Sequence, residues 1–439
     1  MILNLKDKIM LKIFLFVSLM FCSVFAEVDG HLDIVKKGMV LPKIVVTIAT
    51  DSPEKGTLSK IKKSLSDDLG ISGHFDVATS TTQFSYNGMP DLSLRNQGIS
   101  LVINLSAERE AGGNYTLKTK LYDLNAVNAL SGNTSGLVLE KNFTTSLEER
   151  FVFLAHKSAI TINDYFKAPS IAWMDKFVVF AVYDGPRKSD IMIGDYSLTY
   201  KKKVVTGGLN IFPKWADKEQ KTIYYTSYNY DKPTLVKLNI YNRSKEVIMD
   251  SDGMLACSDV SKDGSKLLIT ASPTGQPDIF LYDVNTRTKK QVAGGPGWID
   301  VGGQFVEDDK EIVFVSDRLG NPNIFKQRIG SSSVERMVFH SKNNSSVTSN
   351  GNNIIFSSKD SDNEMGKSFN LYLISTRTDN LQRLTTQGVN QFPKFSPDGQ
   401  SVLFIKTVGD ASAVGIIRLE YNKSFLFPLT GKRIQSIDW

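Results

Sequence analysis

The sequence predicts a mixed fold: a small N-terminal α/β domain followed by a six-bladed β-propeller closed by the C-terminal strand. Three observations carry this. A strand–turn–strand unit recurs at a nearly fixed period through the second half of the 439-residue chain. The stretch before it shows helical as well as strand periodicity and no copy of the unit. The first repeat lacks a strand, and the last residues of the chain supply one.

The unit is clearest at Gln391–Ile405, QFPKFSPDGQSVLFI. Phe392, Phe395 and Val402–Ile405 are apolar. Ser396-Pro397-Asp398-Gly399 between them has turn chemistry: Pro presets φ, Asp bonds nearby backbone, and Gly accepts positive φ. The unit repeats at Trp215–Lys218 before Ile223–Tyr225, and at Ser261–Gly264 before Lys266–Ile269. It repeats again at Phe305–Asp309 before Ile312–Val315, and at Ser349–Gly351 before Ile354–Phe356. Aligned on the apolar residue before the turn, the copies fall at Trp215, Val260, Phe305, Val347 and Phe395, in steps of 45, 45, 42 and 48 residues. Each goes on to an apolar third strand (Ile279–Tyr282, Ile324-Phe325, Leu371–Ile374) and a basic fourth (Lys289–Val292, Gln382–Thr385). Four strands per repeat of this length make a propeller blade.

Taken in order, residues 1–26 read as a secretory signal. Lys6, Lys8 and Lys12 precede the apolar run Ile13–Val24, and Val24-Phe25-Ala26 prepares a cut after Ala26. The run is short for a membrane span, and bulky Phe21 before Cys22 does not suit lipoprotein processing. The mature chain keeps one cysteine, Cys257, so no internal disulfide stabilises it. Residues 27–37 alternate charges and read as a mobile arm.

Residues 38–166 form the α/β domain. Strands are expected at Val40–Ala49, Phe75–Thr79, Ser100–Leu105, around Tyr115–Leu121 and at Leu137–Phe143. Leu58, Ile61, Leu65 and Leu69 recur at helical spacing, so a helix spans Pro53–Leu69 with Ser52 as N-cap. A second helix runs from Leu147 to Phe166, with Ser146 and Glu149 as a capping box. The propeller takes residues 170–439. Phe177–Val182, Asp190–Tyr196 and Lys203–Thr206 belong to a first blade with no turn motif before Phe177. Ile434–Trp439 is therefore expected as its inner strand, which closes the ring and removes an exposed edge.

A hydrophobic content of 41% and a formal charge of +6 indicate a globular chain. The charge is dispersed and offers no basic block for nucleic acid. No Gly-x-Ser-x-Gly elbow, His-Glu-x-x-His, Cys-x-x-Cys or phosphate loop occurs. His31, His74, His156 and His340 have no partner spacing and read as surface or packing residues. Asp263-Gly264 and Asp398-Gly399 lack the further acids of a calcium loop and read as turns. No catalytic, cofactor or metal residue is therefore assigned.

What remains is geometric. The loops before the inner strands converge at one end of the channel and bring together Asn210, Phe212, Met254, Leu255, Trp298, Asn390 and Phe392, with Asp300 as the lone carboxylate. Aromatic and Met side chains clustered on loops suit protein recognition.

The whole chain resembles the TolB family, periplasmic components of the Tol–Pal system of Gram-negative bacteria. The resemblance rests on FPKFSPDGQSVLFI, the export signal, the α/β domain, and the missing first-blade strand answered by a terminal strand ending in Trp439. It implies a non-enzymatic, monomeric periplasmic adaptor, at most peripheral to a membrane. Such an adaptor binds the lipoprotein Pal through the mouth residues just named, including Asp300. It binds TolA through the arm, here Glu27, Val28, Leu32 and Ile34, and further outer-membrane proteins are admissible partners. Its role is in outer-membrane integrity and constriction at division. The competing readings are a propeller-bearing hydrolase and a propeller for another envelope partner.

Overall fold

The computed structural model describes residues 40–127, 134–360, 368–421, 423–429 and 431–439. The expected signal segment and the arm residues Glu27, Val28, Leu32 and Ile34 lie outside them. No helix among the described residues is long and apolar enough to cross a membrane.

The N-terminal part is a five-stranded sheet in the order Asp76–Ala78, Lys43–Ile48, Ile99–Arg109, Tyr115–Asp123, Leu137–Thr145. The first three strands run parallel and the last two pair antiparallel. Helices α1 (Gly56–Ser72) and α2 (Phe151–Tyr165) cover one face. Leu58, Ile61, Leu65 and Leu69 of α1 are buried, as their spacing demands.

Both expected helix caps are corrected. α1 starts at Gly56 and its cap position, Lys55, makes no side-chain cap bond. Ser52 instead ties the strand end: its Oγ accepts from Ala107 N at 3.1 Å and donates to Glu54 O at 3.2 Å. A 3₁₀ turn at Glu148–Arg150 leads into α2. There Thr145, not Ser146, serves the incoming backbone, accepting from Leu147 N at 3.2 Å.

The remainder is built of four-stranded antiparallel units. Four stand as separate sheets, starting at Asn210, Leu255 and Asp300 and, for the fourth, combining Ile434–Asp438 with Val178–Tyr183, Ser189–Gly194 and Lys201–Val205. The strands from Asn344 to Leu429 join in one eight-stranded sheet, whose two halves are linked by the single parallel pair Phe369↔Val389. The C-terminal strand pairs antiparallel with Val178–Tyr183, as the missing first strand required.

The Ser-x-Asp-Gly turn explains two of the hairpins. Ser396 Oγ donates to Asp398 Oδ1 at 2.6 Å, Gly399 N donates to Ser396 O at 2.8 Å, and Gly399 sits at φ 72°. Ser261 and Asp263 repeat the bond at 2.6 Å. Thus turn chemistry sets the register, and alternating apolar residues then pack sheet against sheet.

The two parts share one core. Leu58, Leu65 and Leu154 of the helices cluster with Trp173, Tyr196, Leu403, Ile416, Ile437 and Trp439. Trp173 and Trp439 meet edge to face at 5.1 Å. Gly73, at φ 80°, ends α1 where an added Cβ would stand 2.9 Å from the Tyr421 ring, so the close approach demands glycine.

Candidate functional site

The inner strands are Asn210–Trp215, Leu255–Val260, Asp300–Val306, Asn344–Asn350, Val389–Phe395 and Ile434–Asp438. Each carries a register shift at the same level, between Ile211 and Lys214, Cys257 and Asp259, Val301 and Gln304, Ser345 and Thr348, Gln391 and Lys394, and Ile434 and Ser436. A bulge re-aims side chains, and here the bulges surround the channel. Phe212 and Phe392 take φ values of 54° and 53°. That conformation is strained for bulky residues and concentrates at functional positions. The Phe212 N–H donates to Ser436 Oγ at 3.1 Å, which ties the first bulge to the chain's last strand.

The bulges enclose a mouth cavity of about 320 Å³. Its walls include Phe212, Met254, Val301, Val347 and Phe392. Phe212, Met254 and Phe392 were expected at the mouth, and the structure brings them together there. Antiparallel strands alternate direction, so the loops after second strands share this end with the loops before inner strands. Tyr183, Tyr228, Tyr230, Ile299, Leu319 and Phe339 are exposed at this same end, Leu319 and Phe339 in the wall of a separate cavity.

The other expected mouth residues are corrected. Asn210, Leu255, Asp300 and Asn390 are buried and offer no contact surface. Asn210 Nδ2 donates to Gly207 O at 2.7 Å, and Asn390 Nδ2 donates to Gln387 O at 2.8 Å. Each therefore pins the loop that leads into its inner strand. Leu255 packs with Tyr224, Leu235 and Ile269 between sheets. Asp300 is clamped by Arg318 Nη2 at 2.8 and 3.0 Å. Trp298 lies outside the mouth cavity, half-buried, with its ring near Gly295 and the Arg318 guanidinium 5.6 Å from its centroid.

Beneath the mouth lies a polar waist of four charged side chains. Lys214 Nζ lies 3.1 Å from Asp438 and 3.3 Å from Asp259. Burial opposes its charge, but these two carboxylates outweigh that and raise its pKa. Lys394 sits 3.8 Å from Asp438. Burial and the Lys214 charge lower its pKa. Burial also pushes the Cys257 thiol up to about 12, so it remains protonated and unreactive. The waist was not anticipated, yet its signal was present. Phe-Pro-Lys occurs at both 212–214 and 392–394.

A second unanticipated feature is the surroundings of His156. The ring is fully buried where α1, α2 and the turn after Ser189–Gly194 meet. Its Nδ1 is 2.8 Å from Asp68 and its Nε2 3.5 Å from Asp195. Tyr196 Oη donates to the other Asp68 oxygen at 2.5 Å. Burial alone would lower the imidazole pKa, but Asp68 and Asp195 raise it to about 10. The result is an imidazolium between two carboxylates, one from each part of the chain.

Fold and site together define a β-propeller with an apolar-walled mouth, carried on a small α/β domain. The profile of the TolB beta propeller domain matches residues 172–435. The chain is 45% identical to the Tol-Pal system protein TolB of Wolinella succinogenes over 98% of its length and 100% of the relative's. It is 42% identical to TolB of Helicobacter pylori (strain HPAG1), covering 94% of this chain and 96% of that one. The chain belongs to the TolB family. A crystal structure of TolB from Acinetobacter baumannii shares the fold, with a TM-score of 0.73 at 21% identity over 91% of this chain and 97% of that one.

Proposed function

We propose that this chain is a non-enzymatic periplasmic adaptor of the Tol–Pal system that binds Pal through the propeller mouth. On this reading it is exported with cleavage after Ala26 and carries a TolA-binding arm at residues 27–37. An α/β domain at 38–166 and a six-bladed propeller at 170–439 follow, the eight-stranded sheet counting as two blades. It acts as a monomer in outer-membrane integrity and constriction at division.

The observation that carries the reading is the convergence of Phe212, Met254 and Phe392 on one cavity, at the end of the propeller that also exposes aromatic and aliphatic side chains. Exposed apolar surface that is gathered at one end marks a protein interface. Among the described residues the walls of that cavity carry no Asp, Glu or His, and Asp300 beneath the loops is paired with Arg318 at 2.8 Å, which suits binding better than hydrolysis.

The test is calorimetric titration with the soluble domain of Pal from the same organism. Saturable one-to-one binding is expected, lost when Phe212, Met254 and Phe392 are all replaced by Asp in a chain that still melts cooperatively. Absence of binding at micromolar concentrations refutes Pal as the partner. Deleting residues 27–36 should abolish capture of TolA's periplasmic domain and leave the fold intact.

A further inference from the structure

We infer that the floor of the mouth cavity receives an acidic side chain of the protein partner, with Lys394 as its counter-ion. The inference rests on reading the mouth as the partner site and adds the chemistry of what enters it.

The channel waist is polarised. Its two lysines, Lys214 and Lys394, line the mouth cavity, and no Asp or Glu lines it. Its two aspartates, Asp259 and Asp438, line the vestibule of about 730 Å³ at the opposite end, which Lys214 also borders, whereas Lys394 borders the mouth cavity alone. The four charges cancel in sum, but the mouth side is the positive side.

The aspartates are also committed elsewhere. Asp438 takes Lys214 Nζ at 3.1 Å and Trp215 N at 2.9 Å. Asp259 takes Lys214 at 3.3 Å and Phe305 N at 2.9 Å. Lys214 is thus held between both. Lys394 is left with a carboxylate at 3.8 Å, beyond hydrogen-bond reach. Among the described residues its ammonium, with three donors, makes no hydrogen bond. A half-buried cation short of acceptors beneath apolar walls favours a ligand that brings one negative charge on an apolar stem.

Volume and wall chemistry narrow the ligand further. About 320 Å³ admits one or two side chains. Phe212, Met254, Val301, Val347 and Phe392 suit apolar neighbours of the acid. The occupant is therefore an Asp or Glu at a loop tip or helix end, flanked by apolar residues. It relieves the repulsion between the two lysines and restores the proton affinity that Lys394 has lost.

The experiment compares wild type with Lys394→Met in calorimetric titrations with the soluble domain of Pal. Met keeps the stem and removes the charge, and Asp438 keeps Lys214, so melting should not suffer. If Met proves unstable, Lys394→Gln replaces it. The expected loss of affinity is about tenfold or more, as for truncating one partner of a buried charge pair. A second readout separates this from a packing effect. At several pH values between about 8 and 10, in two buffers of different ionisation heat, wild type should take up more protons on binding than the variant. Equal affinity and equal proton uptake in the two proteins overturn the inference and leave the mouth as the partner site. If wild type does not bind at all, the mouth reading fails and this inference fails with it.

Discussion

His156 is an imidazole with two carboxylates at 2.8 and 3.5 Å and no exposure to solvent. Its pKa rises from 6.5 to about 10 on folding, so the folded state binds its proton more tightly than the unfolded chain. The stability gained is complete below pH 6.5 and declines as pH climbs through about 10. Urea unfolding across this range should show a steady loss in wild type. His156→Gln should be less stable at pH 6 by about 3–5 kcal/mol, the cost of leaving buried carboxylates unpaired. It should also be nearly flat with pH; parallel curves for the two proteins would remove His156 as the cause. Sequence reading missed this group because Asp68 stands 88 positions away, and no local spacing announces such a pairing. The mouth was half legible for the opposite reason. Phe212 and Phe392 recur at one position of the repeat, so their shared place follows from the period. Asn210 and Asn390 recur equally well, but recurrence does not separate a side chain that faces solvent from one that pins its own loop.

The C-terminal strand is the element on which most depends. Ile434–Asp438 pairs with Val178–Tyr183 along one edge. Ser436 takes the Phe212 N–H at the mouth, and Asp438 takes Lys214 and Trp215 N at the waist. Trp439 then packs on Trp173 beside the helices. Deleting residues 434–439 exposes the edge of Val178–Tyr183 and strips both lysines of Asp438. The cost should exceed the roughly 3–5 kcal/mol of a single buried Trp→Ala change. The melting temperature of the truncated chain is the measurement, and an unchanged value would refute the closure argument. This strand was legible because a blade with a strand missing needs one from elsewhere. The helix caps were not. Ser52 and Ser146 look like N-caps in sequence, but Ser52 is drawn 55 positions along the chain to Ala107. Backbone groups at strand ends compete for the same hydroxyls as helix starts do. The turn motif held up where Ser and Asp are both present. Glu307, Asp308 and Asp309 close their hairpin by a different turn, with three successive positive φ values and no glycine, where Ser396–Gly399 has one, at Gly399, so there the fold imposes a turn on residues that do not favour it.

For the molecule as a whole, the question is whether the α/β part and the propeller are separable. Length alone argues for two cores, and the match to the propeller domain begins only at residue 172. The packing argues otherwise. A continuous buried cluster runs from Leu58 and Leu65 of α1 through Trp173 and Tyr196 to Leu403, Ile416 and Trp439. The buried His156 group adds charge pairing across the same junction, and Tyr421 Oη meets the His74 ring nitrogens at 3.1 Å beside it. Domains joined through thin, polar contacts move and melt separately; domains that share apolar side chains lose those contacts together. Heating should therefore give one calorimetric transition, with calorimetric and van't Hoff enthalpies that agree. Trp173→Ala, at the centre of the junction, should lower that transition without splitting it, by an amount set by about 3–5 kcal/mol of lost packing. Two resolved transitions in wild type would show that the junction does not bind the parts into one unit. A single transition means that a partner seated at the mouth, on the far side of the propeller from α1 and α2, stabilises the helices as well. Binding energy delivered at one end of the chain is then felt at the other through rigidity alone.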